Sequence, residues 1–146
     1  MERKPKWYYR QSGVIPFRRD NGEVQIALIT SKRRKRWMIP KGVIDRELSP
    51  RESATKEAYE EAGLRGYAYA QLLGEYKYRK WGGTCNVQVF LFKVKEALET
   101  WPEAHLRDRR WVNLAEVEEL IEEYALKQLI RDLQVFIGEV SYARKA

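Results

Sequence analysis

The stretch "SPRESATKEAYEEAG", residues 49–63, constrains the fold more than any other, because both ends of a helix are written into it. Ser49 is a candidate N-cap, and Glu52 follows it by three residues, the spacing of a capping box. Pro50 stands at the first helical position, where a missing N–H costs nothing. Gly63 can close the helix in the left-handed conformation. A helix over 50–62 is predicted. Ala54, Ala58 and Ala62 recur every four residues, a stripe of small side chains suited to lying close on a sheet.

The flanking sequence supplies strands for that sheet. Residues 8–19 read as a strand in which Pro16 suggests an irregular or edge position. The "DNG" of 20–22 is a turn, and 23–31 reads as a buried strand completing a hairpin. The run "KRRKR", 32–36, belongs in an exposed loop because its charges repel one another. A short apolar segment, 37–40, stops at Pro40, and 41–48 is expected to be an irregular loop entering the helix. Beyond the helix, 66–81 and 84–98 read as long strands joined at Gly82–Gly83. A short strand over 109–114 ends at Asn113, a second N-cap candidate, before helical patterns at 114–124 and 126–140. The tail 141–146 is expected to fray. No repeat or low-complexity linker divides the 146 residues, so 1–146 is expected to form one domain. This order predicts the α/β class, an α/β/α sandwich with a mixed sheet between helices.

The predicted helix carries three carboxylates, Glu57, Glu60 and Glu61, on one face. Like charges four residues apart destabilise a helix by a few tenths of a kcal/mol. The cluster is either a tolerated, solvated surface or a site for a cation. Oxygen-only donors suit a hard divalent ion such as Mg²⁺, with Mn²⁺ as a substitute, and Mg²⁺ usually shares its shell with phosphate. Lys41 and Gly42 add a cation and an unhindered backbone just upstream. Such an ion would polarise a phosphoryl oxygen and ease the ionisation of a bound water.

Charge composition points the same way without deciding it. Lys and Arg number 28 against 21 Asp and Glu, a net charge of +7. The excess suits a nucleic acid, a phosphorylated metabolite or an acidic membrane surface, and equally suits plain solubility. One cysteine, Cys85, and one histidine, His105, exclude an intrachain disulfide and a Cys/His zinc cluster. Cys85 sits in the apolar run "TCNVQVFLF" and reads as a buried structural thiol. The opening "MERKPKWYYR" has no apolar leader core and no run reaches membrane-spanning length, so a cytoplasmic protein is expected. Trp37, Trp81 and Trp111 are expected in the core or at its rim. Glu103 reads as a surface glutamate, and His105 as exposed.

With these residues in place, "GVIDRELSPRESATKEAYEEAGL", 42–64, resembles the Nudix box, G-x5-E-x7-R-E-U-x-E-E-x-G-U with U aliphatic. Gly42, Glu57, Glu60, Glu61, Gly63 and Leu64 match, and Ala58 fills the first aliphatic position. Leu48 stands where the box has its first Glu, with Glu47 beside it, and Lys56 replaces the box Arg, whose planar fork a lysine lacks. The resemblance implies a Mg²⁺-dependent pyrophosphohydrolase. Its catalytic and metal-binding residues would be Glu57, Glu60 and Glu61, joined by a backbone carbonyl of Lys41 or Gly42. The segments 31–42 and 96–120 are similar to those of the diphosphoinositol polyphosphate phosphohydrolases and related bacterial proteins. That similarity implies phosphate contacts at Arg10, Lys32, Arg79 and Arg107, beside Lys41 and Gly42. The implied substrate is a diphosphoinositol polyphosphate or a dinucleoside polyphosphate, with an RNA 5′ end as a further option. Two other readings stay open: a catalytically weak module of this fold that binds polyanions or RNA, and a basic nucleic-acid-binding domain whose acidic helix is only surface.

Overall fold

The computed structural model describes residues 8–145, with 134–136 and 138–145 described by backbone alone. Residues 1–7, read above as lacking a leader core, and Ala146 lie outside the described residues. Seven strands form one sheet: β1 (Tyr8–Asp20), β2 (Glu23–Thr30), β3 (Trp37–Met38), β4 (Lys41–Val43), β5 (Leu64–Lys80), β6 (Gly83–Ala97) and β7 (Arg109–Asn113). The helices are α1 (Pro50–Ala62), α2 (Leu114–Leu120) and α3 (Tyr124–Lys145). The sheet runs β3-β2-β1-β6-β5, with β4 paired to β1 and β7 to β2. It is mixed, since β1 and β6 are parallel while the other pairs are antiparallel.

Alternation along the strands sorts the apolar residues onto two faces. Ile15, Phe17, Ile26, Leu28, Val87, Val89 and Leu91 meet Val117 of α2 and Leu126, Ile130, Leu133 and Ile137 of α3. Val14, Ala27, Ile29, Phe90 and Phe92 face the opposite way and meet Ala54, Ala58 and Ala62 of α1. The alanine stripe therefore seats α1 on the sheet, and the α/β/α sandwich follows. No helix among the described residues is long and apolar enough to cross a membrane. Cys85 is a free, fully buried thiol inside this core.

Five local expectations need correction. Pro16 lies in a central strand rather than at an edge. On one side of β1, pairing with β4 covers Gln11–Gly13 and pairing with β2 begins at Phe17, so Pro16 falls in the gap. Its missing N–H faces that gap, as the alternation from Val14, which donates to Pro40, requires. Residues 41–43 form the short strand β4 instead of an irregular loop. The β5–β6 turn is Trp81–Gly82, at φ 56° and 68°, and Gly83 already belongs to β6. Trp81 is 53% exposed at this turn, outside the core. The tail, expected to fray, is helical through Lys145.

Candidate active site

The site begins with α1, whose ends are fixed by the residues that predict them. The Ser49 side chain accepts from Glu52 N–H, and the Glu52 carboxylate accepts from Ser49 N–H. Gly63, at φ 65°, donates to the Tyr59 carbonyl. An added Cβ on Gly63 would stand 2.7 Å from Trp101, so this glycine answers both a left-handed turn and a close approach.

Segment 101–108 clamps the acidic end of the helix. Trp101 Nε1 donates to the Glu61 carbonyl at 2.9 Å, and Glu103 N–H donates to the Glu60 carbonyl at 3.1 Å. Arg107 is 5% exposed, and its guanidinium divides its donors among three oxygen partners, with Nη1 also 3.8 Å from Met38 Sδ. Nη2 reaches Glu61 Oε2 at 3.1 Å, Nε reaches Glu103 Oε1 at 2.8 Å and Nη1 reaches the Thr30 carbonyl at 3.0 Å. Arg107, expected to contact phosphate, is instead committed behind Glu61. Glu103 is correspondingly not a free surface glutamate. His105 is exposed, and its carbonyl accepts from Arg34 Nη2.

The carboxylates differ in setting. Glu61 is 7% exposed, with Lys41 N–H on Oε1 at 3.0 Å and Arg107 on Oε2. Burial pushes its carboxyl above the ordinary range, against the pull of Arg107 and the Lys41 N–H. Glu57 is pushed up to about 7, first by burial and then by the negative charges of Glu61, Glu60 and Glu103. Gly42 makes room for it, since an added Cβ there would stand 2.5 Å from the Glu57 carboxyl. Glu60 lies 3.7 Å from Lys56 Nζ, which also approaches Asp45 Oδ2 at 3.6 Å. Lys56 thus balances part of the cluster as a point charge. Glu47, beside Leu48, is exposed.

Among the described residues, no three His, Cys, Asp or Glu side chains already stand close enough to close on a metal ion. The donor chemistry still fits one. Glu57, Glu60 and Glu61 offer only oxygen, and burial together with the neighbouring carboxylates disfavours the charge on Glu57 that a cation would offset.

Beside the acidic face lies a cleft of about 480 Å³. Trp37, Tyr76 and Tyr78 supply aromatic surface, Arg36, Lys41, Arg79 and Lys80 supply cations, and Glu122 and Glu123 close the side between α2 and α3. Lys41 joins the two regions: its backbone N–H holds Glu61 while its side chain lines the cleft. Its Nζ donates to the Tyr78 hydroxyl at 3.0 Å, and burial lowers its pKa to about 8. Burial likewise raises the pKa of Tyr78.

The structure brings Glu57, Glu60, Glu61, Gly42 and Lys41 together and sets Arg79 in the adjoining cleft. Arg10 and Lys32 are exposed and do not line the cleft. Sequence reasoning missed Tyr76, Tyr78, Gln11 and Trp101. The tyrosines carried a signal, since Tyr76 and Tyr78 share one face of a predicted strand with Lys80.

Comparisons with known proteins bear on the family and the fold. A family model for the NUDIX domain matches residues 8–133. The chain is 34% identical over 131 residues to Nudix hydrolase 13, mitochondrial, of Arabidopsis thaliana, a match covering 75% of this chain and 65% of that one. It is 26% identical over 120 residues to diphosphoinositol polyphosphate phosphohydrolase 3-alpha of Mus musculus, covering 81% and 72%. The chain thus spans about two thirds of the length of the curated relatives it matches. A crystal structure of a C. elegans Ap4A hydrolase binary complex superposes with a TM-score of 0.79 at 19% identity, covering 90% of this chain and 98% of that one.

Proposed function

The chain belongs to the Nudix hydrolase family, and from that premise we propose that it cleaves a diphosphate linkage in a highly phosphorylated substrate, using a divalent metal. A diphosphoinositol polyphosphate or a dinucleoside polyphosphate fits the reading, and relatives named for each are among the matches. The carrying observation is the junction at Lys41, where a partly buried acidic face meets a cationic cleft through one residue.

Glu57, Glu60 and Glu61 would hold Mg²⁺, with Mn²⁺ able to replace it. When bound, the ion supplies charge stabilisation at phosphoryl oxygens and eases ionisation of water. Water attacks phosphorus, the bond to the bridging oxygen breaks, and two phosphorylated products leave without a covalent enzyme intermediate. Glu57 takes the proton of the attacking water. Both oxygens of Glu61 are engaged by Lys41 and Arg107, whereas the Glu57 carboxylate makes no hydrogen bond or salt bridge among the described residues and keeps an oxygen for the water. Lys41 and the cleft cations Arg36, Arg79 and Lys80 offset charge on the phosphate chain. Arg10 and Lys32 would serve only a substrate long enough to reach beyond the cleft. A cytoplasmic site of action belongs to this reading and accords with the free thiol of Cys85, although the Arabidopsis relative is named as mitochondrial.

A second reading, a polyanion- or RNA-binding module with little turnover, draws on Leu48 and Lys56 at two positions of the box. One panel separates the two. Phosphate release is measured from a diphosphoinositol polyphosphate, a dinucleoside tetraphosphate, a nucleotide sugar and 5′-triphosphate RNA, each with Mg²⁺ and with EDTA. Metal-dependent turnover on one of the first two is the expected result. Tight binding without turnover on any of them supports the binding module.

A further inference from the structure

Lys41 is a half-buried cation whose ammonium makes no salt bridge among the described residues, although Glu61, held by the Lys41 backbone N–H, attracts it at longer range. Its Nζ donates to the Tyr78 hydroxyl at 3.0 Å and stands 4.6 Å from the centre of that ring. The Tyr78 hydroxyl donates its single proton to Gln11 Oε1 at 2.7 Å, so towards Lys41 it only accepts. Gln11 is itself buried on β1. Gly13 gives the lysine stem its passage, for an added Cβ there would stand 2.7 Å from Lys41 Cβ. The chain Gln11–Tyr78–Lys41 therefore fixes the ammonium from one side. It leaves two of its three donors unanswered in a cleft lined by Arg36, Arg79 and Lys80, with Glu122 and Glu123 on the α2–α3 side. A half-buried cation without a salt-bridge partner has the form of half an ion pair.

We propose that Tyr78 and Gln11 are positioning residues for an anion seat at Lys41, aiming its ammonium at a non-bridging phosphoryl oxygen of the substrate's phosphate chain. This rests on the reading of the cleft as a phosphate site and names the part that sets its geometry. Tyr78 acts through Lys41, not on the substrate itself.

The probe is inorganic tripolyphosphate in EDTA, with binding followed by calorimetry. Tyr78→Phe weakens binding about tenfold, the scale of one hydrogen bond to a charged group. Lys41→Met weakens it further, and the double variant binds no worse than Lys41→Met alone, because Tyr78 has nothing left to position. Gln11→Leu, which frees the Tyr78 proton, gives a smaller loss that also vanishes in the Lys41→Met background, and it serves if Tyr78→Phe does not fold. Losses that add in the double variants, a Tyr78→Phe affinity within twofold of wild type, or no binding by the wild type each overturn the proposal. Binding in EDTA is independent of turnover. A protein that binds through Lys41 yet hydrolyses nothing would refute the enzymatic reading and leave this one standing.

Discussion

Removing the Arg107 guanidinium would strand two carboxylates at once. Glu61 is buried and Glu103 partly so, and both accept from Arg107. Breaking such a buried pair costs about 3–5 kcal/mol, so Arg107→Met is expected to lower stability on that scale in urea denaturation. Arg107→Lys keeps the charge but not the fork that spans Glu61, Glu103 and Thr30, and is expected to fall between the two. Glu57 makes a pH prediction. Its carboxyl titrates near 7 in the folded chain against 4.5 for the ordinary value. Between those values the folded state binds more protons than the unfolded one, so stability falls as pH rises. Thermal melts in EDTA are expected to show that decline from about pH 4.5 to 7, and Glu57→Gln to flatten it. Mg²⁺ bound by the ionised cluster is expected to reverse the slope. The acidic residues were legible because three glutamates at helical spacing are a local pattern. Arg107 was not, because an arginine is ordinarily exposed and its partner Glu61 lies 46 residues away. Gln11 and Tyr78 stand 67 residues apart and share no pattern at all.

At the scale of the element, α1 carries its own instructions. Ser49, Pro50, Glu52 and Gly63 act within one or two turns, so its limits could be read directly and agree with the structure. Ser49→Ala is expected to cost about 1 kcal/mol and to leave the acidic face in place. Gly63→Ala is expected to cost more, because it meets both the left-handed backbone and the Trp101 ring. Urea midpoints of the two variants test that order. The strand β4 was not legible, since three residues including Gly42 offer no alternation, and its pairing with Gln11–Gly13 is a tertiary fact. The β5–β6 turn was misplaced by one residue because Trp81 occupies a left-handed position that Gly or Asn fills at lower cost. Pro16 misled for a different reason: the strand is central, but its neighbour changes from β4 to β2 at that point.

For the whole molecule, the layered sandwich was readable from element order and alternation, while the cleft emerges only when β3, β4, β5 and the α2–α3 junction meet. With a net charge of +7 and four cations lining the cleft, binding of a polyphosphate is expected to weaken steadily between 50 and about 300 mM salt. The central claim is that the acidic face of α1 performs hydrolysis next to that cleft. Its most direct test is steady-state hydrolysis of a dinucleoside tetraphosphate and a diphosphoinositol polyphosphate by wild type and Glu57→Gln, with Mg²⁺ and with EDTA. Turnover is expected to require Mg²⁺ and to fall at least about a hundredfold in the variant, with its thermal unfolding still cooperative. Turnover that survives EDTA, or a Glu57→Gln rate within a few fold of wild type, would contradict that claim.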